Sequence, residues 1–219
     1  MDGQLYAGAA ITDITPAKSL FLYGYPHVER MSEGVHDPLY ASALVMGNGK
    51  EKIAVCAADI VFITKEITEN VRKKVSEASG IKEGNIMLCA SHTHSGPMTA
   101  DPIYTDPVVP KADRDFIASF TDALAGIIIE ADRKAAPAEW ALSTLDAGAV
   151  GGNRRAKDGA RDPEVPVLVV RGKEDGKIFS VWSVYCMHPT VLHEDSKLYS
   201  ADFPGYTRKQ LAEDLGEDC

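Results

Sequence analysis

Two histidines separated by one residue, His92 and His94, lie in the stretch Cys89-Ala90-Ser91-His92-Thr93-His94-Ser95-Gly96-Pro97. In extended backbone this spacing puts both imidazoles on one face, roughly 6.5–7 Å apart at the Cα atoms. Rings placed so can lean toward one point at the carboxyl end of a strand, where α/β proteins build their sites. A divalent metal is the usual reason for such convergence, because neutral imidazole is a common zinc ligand. The plain alternative is a pair of surface histidines at a strand end. Ser91, Thr93 and Ser95 interleave small hydroxyls, which suit a crowded polar pocket. By spacing alone, both His92 and His94 are candidate ligands.

A third histidine, His188, closes the apolar run Tyr185-Cys186-Met187-His188-Pro189. Alone it reads as a satisfied core or turn residue; beside His92 and His94 it is the natural third ligand. Asn153-Arg154-Arg155 follows the flexible loop Gly148-Ala149-Val150-Gly151-Gly152, which lacks the Gly-Lys-Ser/Thr ending of a phosphate-binding loop. Arg154 is a candidate for holding an anionic substrate group or a developing oxyanion, against the plain alternative of a solvated arginine. Two carboxylates lie in apolar surroundings. Asp59 interrupts the run Lys52 to Phe62, and Asp202 sits in Ser200-Ala201-Asp202-Phe203-Pro204-Gly205. Each is expected near the histidines, either orienting them from behind or capping a backbone group.

The elements that must position these residues follow from periodicity. Strands are expected over Leu5–Ile14, Pro38–Met46, Lys52–Phe62, Asn85–Ala90, Glu139–Ala147, Val165–Arg171 and Lys177–Met187. Asn48-Gly49 and Glu174-Asp175-Gly176 read as hairpin turns. Thr64 caps a helix through Ser79, ended by Gly80; Asp113 caps a second through Arg133; a third starts near Asp202 and runs through Leu215. The Pro-rich stretch 96–110, with Asp101, Tyr104 and Asp106, is long enough to be functional.

The chain has 219 residues, 45% hydrophobic and 25% charged, with a formal net charge of −9. No basic field is available, which argues against nucleic acid as a partner. No apolar run is long enough to span a bilayer. Met1-Asp2-Gly3-Gln4 has no signal-peptide character, so the expected location is the cytoplasm, or outside the cell if a leader precedes the chain. Cys56, Cys89 and Cys186 lie in apolar runs and, with Cys219, show no metal or disulfide spacing; they read as buried reduced thiols. Strands alternating with helices, and no linker composition, argue for one α/β unit. Hairpins interrupt the βα order, against an eight-fold βα barrel.

In this order along the chain, the segments Gly8-Ala9-Ala10-Ile11-Thr12-Asp13-Ile14-Thr15-Pro16, Gly34-Val35-His36-Asp37-Pro38-Leu39-Tyr40, Ser91 to Pro97, Asn153-Arg154, Tyr185 to Pro189 and Ser200 to Gly205 resemble those of the neutral/alkaline, non-lysosomal ceramidase-like hydrolases, in their compact bacterial form. The resemblance implies a zinc-dependent amidase domain of α/β class, with mixed β-sheets packed between α-helical layers. It implies that His92 and His188 bind Zn2+, that His94 stands beside the metal and contacts substrate, and that Asn153 and Arg154 hold the substrate or its transition state. It further implies a small-molecule or lipid-like amide substrate. An ester, phosphate or sugar-derived substrate on the same fold, or a non-catalytic binding module, remain the alternatives. The family's other zinc ligands, a glutamate and a tyrosine, and its serine segment match nothing in residues 1–219. These residues are therefore expected to be the N-terminal part of a larger hydrolase domain, and alone to carry an incomplete, weakly active site.

Overall fold

The structure is a computed structural model that describes residues 4–103 and 108–216. In chain order its elements are β1 (Tyr6–Asp13), β2 (Leu22–Tyr23), β3 (Gly34–Val35), β4 (Tyr40–Gly47), β5 (Lys52–Ala58), α1 (Lys65–Ser79), β6 (Ile86–Ala90), β7 (Gly96–Pro97), α2 (Arg114–Arg133), β8 (Ala136–Asp146), β9 (Glu164–Gly172), β10 (Ile178–Ser183), β11 (Leu198–Tyr199) and α3 (Phe203–Leu215). Tyr104, Asp106 and Cys219 lie outside the described residues.

Seven strands form one mixed sheet in the order β10-β9-β8-β1-β4-β5-β6. All ladders are antiparallel except β5–β6, whose parallel pairing requires the α1 crossover. The expected mixed α/β class holds. The sheet is not one plane, however. β1 meets β8 only through Tyr6↔Pro137 and Ala7↔Ala136, whereas β8 and β9 pair all the way from Ala138↔Gly172 to Asp146↔Glu164. So short a junction lets the β8–β9–β10 leaf fold over the β1–β4–β5–β6 leaf. Ala7 and Leu44 of one leaf then pack against Ala138 and Val170 of the other, with Phe179 and Trp182 closing over them.

The opposite face of the first leaf is covered by α1 and α2. Leu124, Ile128, Val71 and Val75 pack there with Val45, Ala43, Cys56 and Ile86. Both helices start where their caps dictate. Thr64 accepts from the Ile67 N–H, Asp113 accepts from the Phe116 N–H, and Gly80 ends α1 in the left-handed conformation. Burial pushes the Cys56 thiol up to about 12, so it is an inert core group. Cys186 is exposed and Cys89 half-buried, so among the described cysteines the expectation of buried thiols holds only for Cys56. No helix among the described residues is long and apolar enough to cross a membrane.

Two boundaries differ from expectation in a way that matters for the site. β5 ends at Ala58 rather than Phe62, because the Asp59 carboxylate turns back to accept from the Tyr40 N–H at 2.9 Å. β10 ends at Ser183 rather than Met187, where its ladder on β9 stops at Val167. His188 therefore lies in irregular chain. α3 crosses the mouth of the gap between the leaves, beside a cavity of about 740 Å³ lined by Ile11, Leu44, Phe179, Trp182 and Leu211. Trp140 and Leu142 of β8 stay exposed at 57% and 65%.

β1 runs hard against the carboxyl end of α2. A Cβ on Gly8 would sit 2.2 Å from the Ala131 carbonyl oxygen. Gly8→Ala is therefore expected to cost about 1–3 kcal/mol by overpacking, read as a lower urea midpoint with unchanged slope. An unchanged midpoint would show that this contact is not limiting.

Candidate metal centre

β6 hands the chain to the site through two backbone bonds. Ser91 N–H donates to the Ala58 carbonyl at 2.9 Å, and His92 N–H donates to the Ile60 carbonyl at 3.0 Å. His92 then takes φ +68°, a left-handed conformation that costs a non-glycine residue stability. The pair is thus not in extended backbone, as the spacing suggested. The left-handed turn, rather than strand alternation, brings the rings together, with the His92 and His94 centroids 5.3 Å apart. His188 completes a triangle, 4.7 Å from each. Its segment and that of His92 leave β10 and β6, the two opposite edges of the sheet, not adjacent strands.

Among the described residues, His92, His94 and His188 are the one group of three potential ligands whose nitrogens all lie within 4.8 Å of one another. The hydrogen bonding says which nitrogens are offered. His92 Nδ1 lies 2.6 Å from the Val61 carbonyl oxygen, so it must carry the proton, and Nε2 keeps its lone pair. His94 Nε2 and His188 Nε2 face each other at 2.9 Å. Two imidazole nitrogens so close share one proton or one cation. His94 Nδ1 is buried without a partner. Burial, then the neighbouring His188 and His92, Arg30 and Arg154, hold His94 down to about 4. Burial, His92 and Arg154 lower His188. Three imidazoles whose ring nitrogens converge, with His94 and His188 pushed toward the neutral form, are a donor set that fits a metal ion.

Of the interleaved hydroxyls, that of Thr93 locks the turn. Thr93 Oγ1 donates to the Ser200 carbonyl at 2.7 Å and accepts from the Ser95 N–H at 3.1 Å. Of the other expected residues, Arg154 is exposed, yet its charge reaches both His94 and His188, whereas that of Arg155 is not among their perturbing charges. Asn153 is spent on its own loop. Its Nδ2 donates to the Ala160 carbonyl and its Oδ1 accepts from the Arg155 and Ala156 N–H groups. Asp202, at φ +58°, caps α3 through the Phe203 N–H and accepts from the Leu192 N–H at 2.9 Å, four residues past His188. Neither Asp59 nor Asp202 bonds an imidazole; the partner of His92 is a backbone carbonyl.

Residues that sequence reasoning left without a role surround His94. Tyr25 packs edge-on against its ring at 4.9 Å. Arg30, fully buried, donates to the His94 carbonyl at 2.8 Å. Their loop showed only Gly, Tyr and Pro enrichment, and no spacing pointed to the histidines.

Asp59 is 1% exposed, and both its oxygens face the Arg208 guanidinium of α3. Arg208→Met would leave that carboxylate buried and unpaired. We expect a loss of about 3 kcal/mol, the lower end for breaking a buried pair because Arg208 is partly exposed. A chemical denaturation curve indistinguishable from the parent's would rule out the pair as a pin for α3.

Residues 5–218 match the family described as "Neutral/alkaline non-lysosomal ceramidase, N-terminal". Neutral ceramidase B of Dictyostelium discoideum is 24% identical over 94% of this chain and 31% of its own length. Neutral ceramidase of Pseudomonas aeruginosa is 24% identical over 95% of this chain and 33% of its own. The chain thus spans about a third of these relatives. The crystal structure of the Pseudomonas aeruginosa neutral ceramidase superposes on 99% of the chain and 37% of that protein, with a TM-score of 0.85 at 20% identity. A ceramidase complexed with C2 gives 0.86 at 22% identity, over 98% of this chain and 36% of its own. At such identities the structural likeness speaks for the fold, while the family match covers nearly every residue. The chain belongs to the neutral/alkaline non-lysosomal ceramidase family, in the part that forms its N-terminal region.

Proposed function

We propose that this chain supplies the imidazole side of a zinc centre in a hydrolase of amide bonds, and that the substrate is an N-acyl, lipid-like amide of the ceramide kind. The observation that carries this reading is the meeting of three imidazoles from opposite edges of one folded sheet. The names of the relatives, neutral ceramidases, supply the substrate class.

His92 and His188 are the ligands. The Val61 carbonyl fixes the His92 tautomer so that Nε2 is the donor atom. When bound, zinc supplies Lewis acidity, which polarises an amide carbonyl and brings the acidity of water toward neutral pH. His94 stands beside them. Held neutral by burial and by the charges around it, its Nε2 can accept or donate a hydrogen bond at the reacting amide. Arg154, whose charge already reaches His94 and His188, provides a fixed positive charge for a developing oxyanion. His188 is exposed, so the substrate approaches from its side. Asn153 holds the loop that presents Arg154.

The test is turnover of an N-acyl sphingosine by the product of the whole open reading frame, loaded with zinc. Arg154→Ala should lower kcat by about 10²-fold, as removal of one oxyanion donor does. His188→Ala should abolish measurable turnover and zinc retention together. Full turnover in His188→Ala would remove that histidine from the ligand set, and full turnover in Arg154→Ala would make the arginine a bystander.

A further inference from the structure

Arg30 is 0% exposed. A buried cation ordinarily sits on a carboxylate, because an unpaired one is expensive to bury. Among the described residues Arg30 makes no salt bridge; Glu194 and Asp195 are near enough only to raise its pKa against the lowering by burial. Its donors go to neutral groups on the His94 turn and on the segment that follows His188. Nη1 donates to the His94 carbonyl at 2.8 Å, Nε to the Ser196 carbonyl at 2.9 Å, and Nη2 to Ser95 Oγ at 3.4 Å.

These contacts join two pieces of chain that β6 and β10 deliver separately. His94 and Ser95 belong to the turn after β6. Ser196 belongs to the segment that continues from His188; the two pieces are otherwise tied by His94 N–H to the Pro189 carbonyl at 3.4 Å, Ser200 N–H to the Ser95 carbonyl at 3.1 Å and Thr93 Oγ1 to the Ser200 carbonyl at 2.7 Å. Arg30 also reaches the ring of His94 indirectly. Its guanidinium lies 5.1 Å from the centroid of Tyr25, whose edge packs on His94. The rest of the loop fits the same ring. A Cβ on Gly24 would stand 2.4 Å from His94 Cγ, and Gly24 has φ +127°, so a side chain is excluded there twice. At the rim, His27 Nε2 meets Glu194 Oε2 at 2.9 Å.

We propose that Arg30 is the positioning residue of the three-histidine centre: by bridging the His94 and Ser196 carbonyls it fixes His94 against His188. The planar fork matters here, since one ammonium cannot serve both carbonyls and Ser95 in this geometry. Because the metal role of the histidines is itself the reading given above, the test has one arm that needs no metal.

In that arm, hydrogen exchange is measured on the metal-free product of the whole open reading frame. Arg30→Met should raise exchange of the His92–Gly96 amides about tenfold and leave α1 and β4 unchanged. In the second arm, Co2+ is titrated and its visible absorption followed. Because the His94 ring packs on that of the ligand His188, with centroids 4.7 Å apart, Arg30→Met should misorient His188 and weaken Co2+ binding about tenfold or more, as loss of an outer orienting contact does. In a His94→Ala background the same substitution should change Co2+ affinity less than twofold. Arg30→Lys should fall between parent and Arg30→Met in both arms, and it decides the matter if Arg30→Met does not fold. Exchange that rises evenly over the sheet, or equal Co2+ losses in both backgrounds, would reduce Arg30 to general scaffolding. If the parent binds no Co2+ while the exchange pattern is as expected, the metal reading falls and the positioning of His94 by Arg30 stands.

Discussion

Two ladder rungs between β1 and β8 are the constraint on which the site depends. A full ladder there would tie seven strands into one continuous surface and keep β6 and β10 at its far edges. The short junction instead makes a hinge, and the apolar faces of the two leaves close on each other through Ala7, Leu44, Ala138 and Val170. That burial is the driving force, and the convergence of His92 and His188 is its geometric result. The histidine centre is thus a product of tertiary packing, built where two chain segments leave regular structure.

The centre concentrates local costs that the rest of the fold must offset. His92 and Asp202 are the non-glycine residues with positive φ among the described residues, and both hold segments of the site. Arg30 is buried without an anion bonded to it, and His94 Nδ1 is buried without a partner. Each feature is unfavourable alone, of order 1–3 kcal/mol for the backbone terms. Each persists because neighbours over-determine it. His92 is held by Ile60 and Val61 carbonyls, and the Asp202 carboxylate is used twice. Strain gathered where titratable groups converge is the pattern of a functional site rather than of a structural turn.

Much of the scaffold was legible in the chain itself. α1 and α2 announced themselves by cap and stripe, and the hairpin at Gly176 by its turn residues, because these are local decisions. The three histidines were legible by type and by their place after apolar runs. Their true geometry was not. His92 is left-handed because its amide and ring meet the Ile60 and Val61 carbonyls, a tertiary fact with no sequence spacing. The end of β10 at Ser183 depends on where β9 stops pairing, which the alternation in Val184-Tyr185-Cys186 does not report. The resemblance makes Asn153 a substrate contact beside Arg154; in the fold its amide closes its own loop, which no spacing in the sequence reports. Arg30 gave no signal, since a lone arginine in a polar loop is ordinarily solvated.

What stands at the middle of the three rings is settled most directly by X-ray absorption at the zinc edge, on protein purified without added metal. If His92 and His188 are ligands, the spectrum shows at least two imidazoles with Zn–N distances near 2.0–2.1 Å. The imidazole scattering then falls by one ligand, or the metal is lost, in His188→Ala. Protein without stoichiometric zinc that also refuses added zinc, or a zinc spectrum unchanged in His188→Ala, would contradict a metal centre at these histidines.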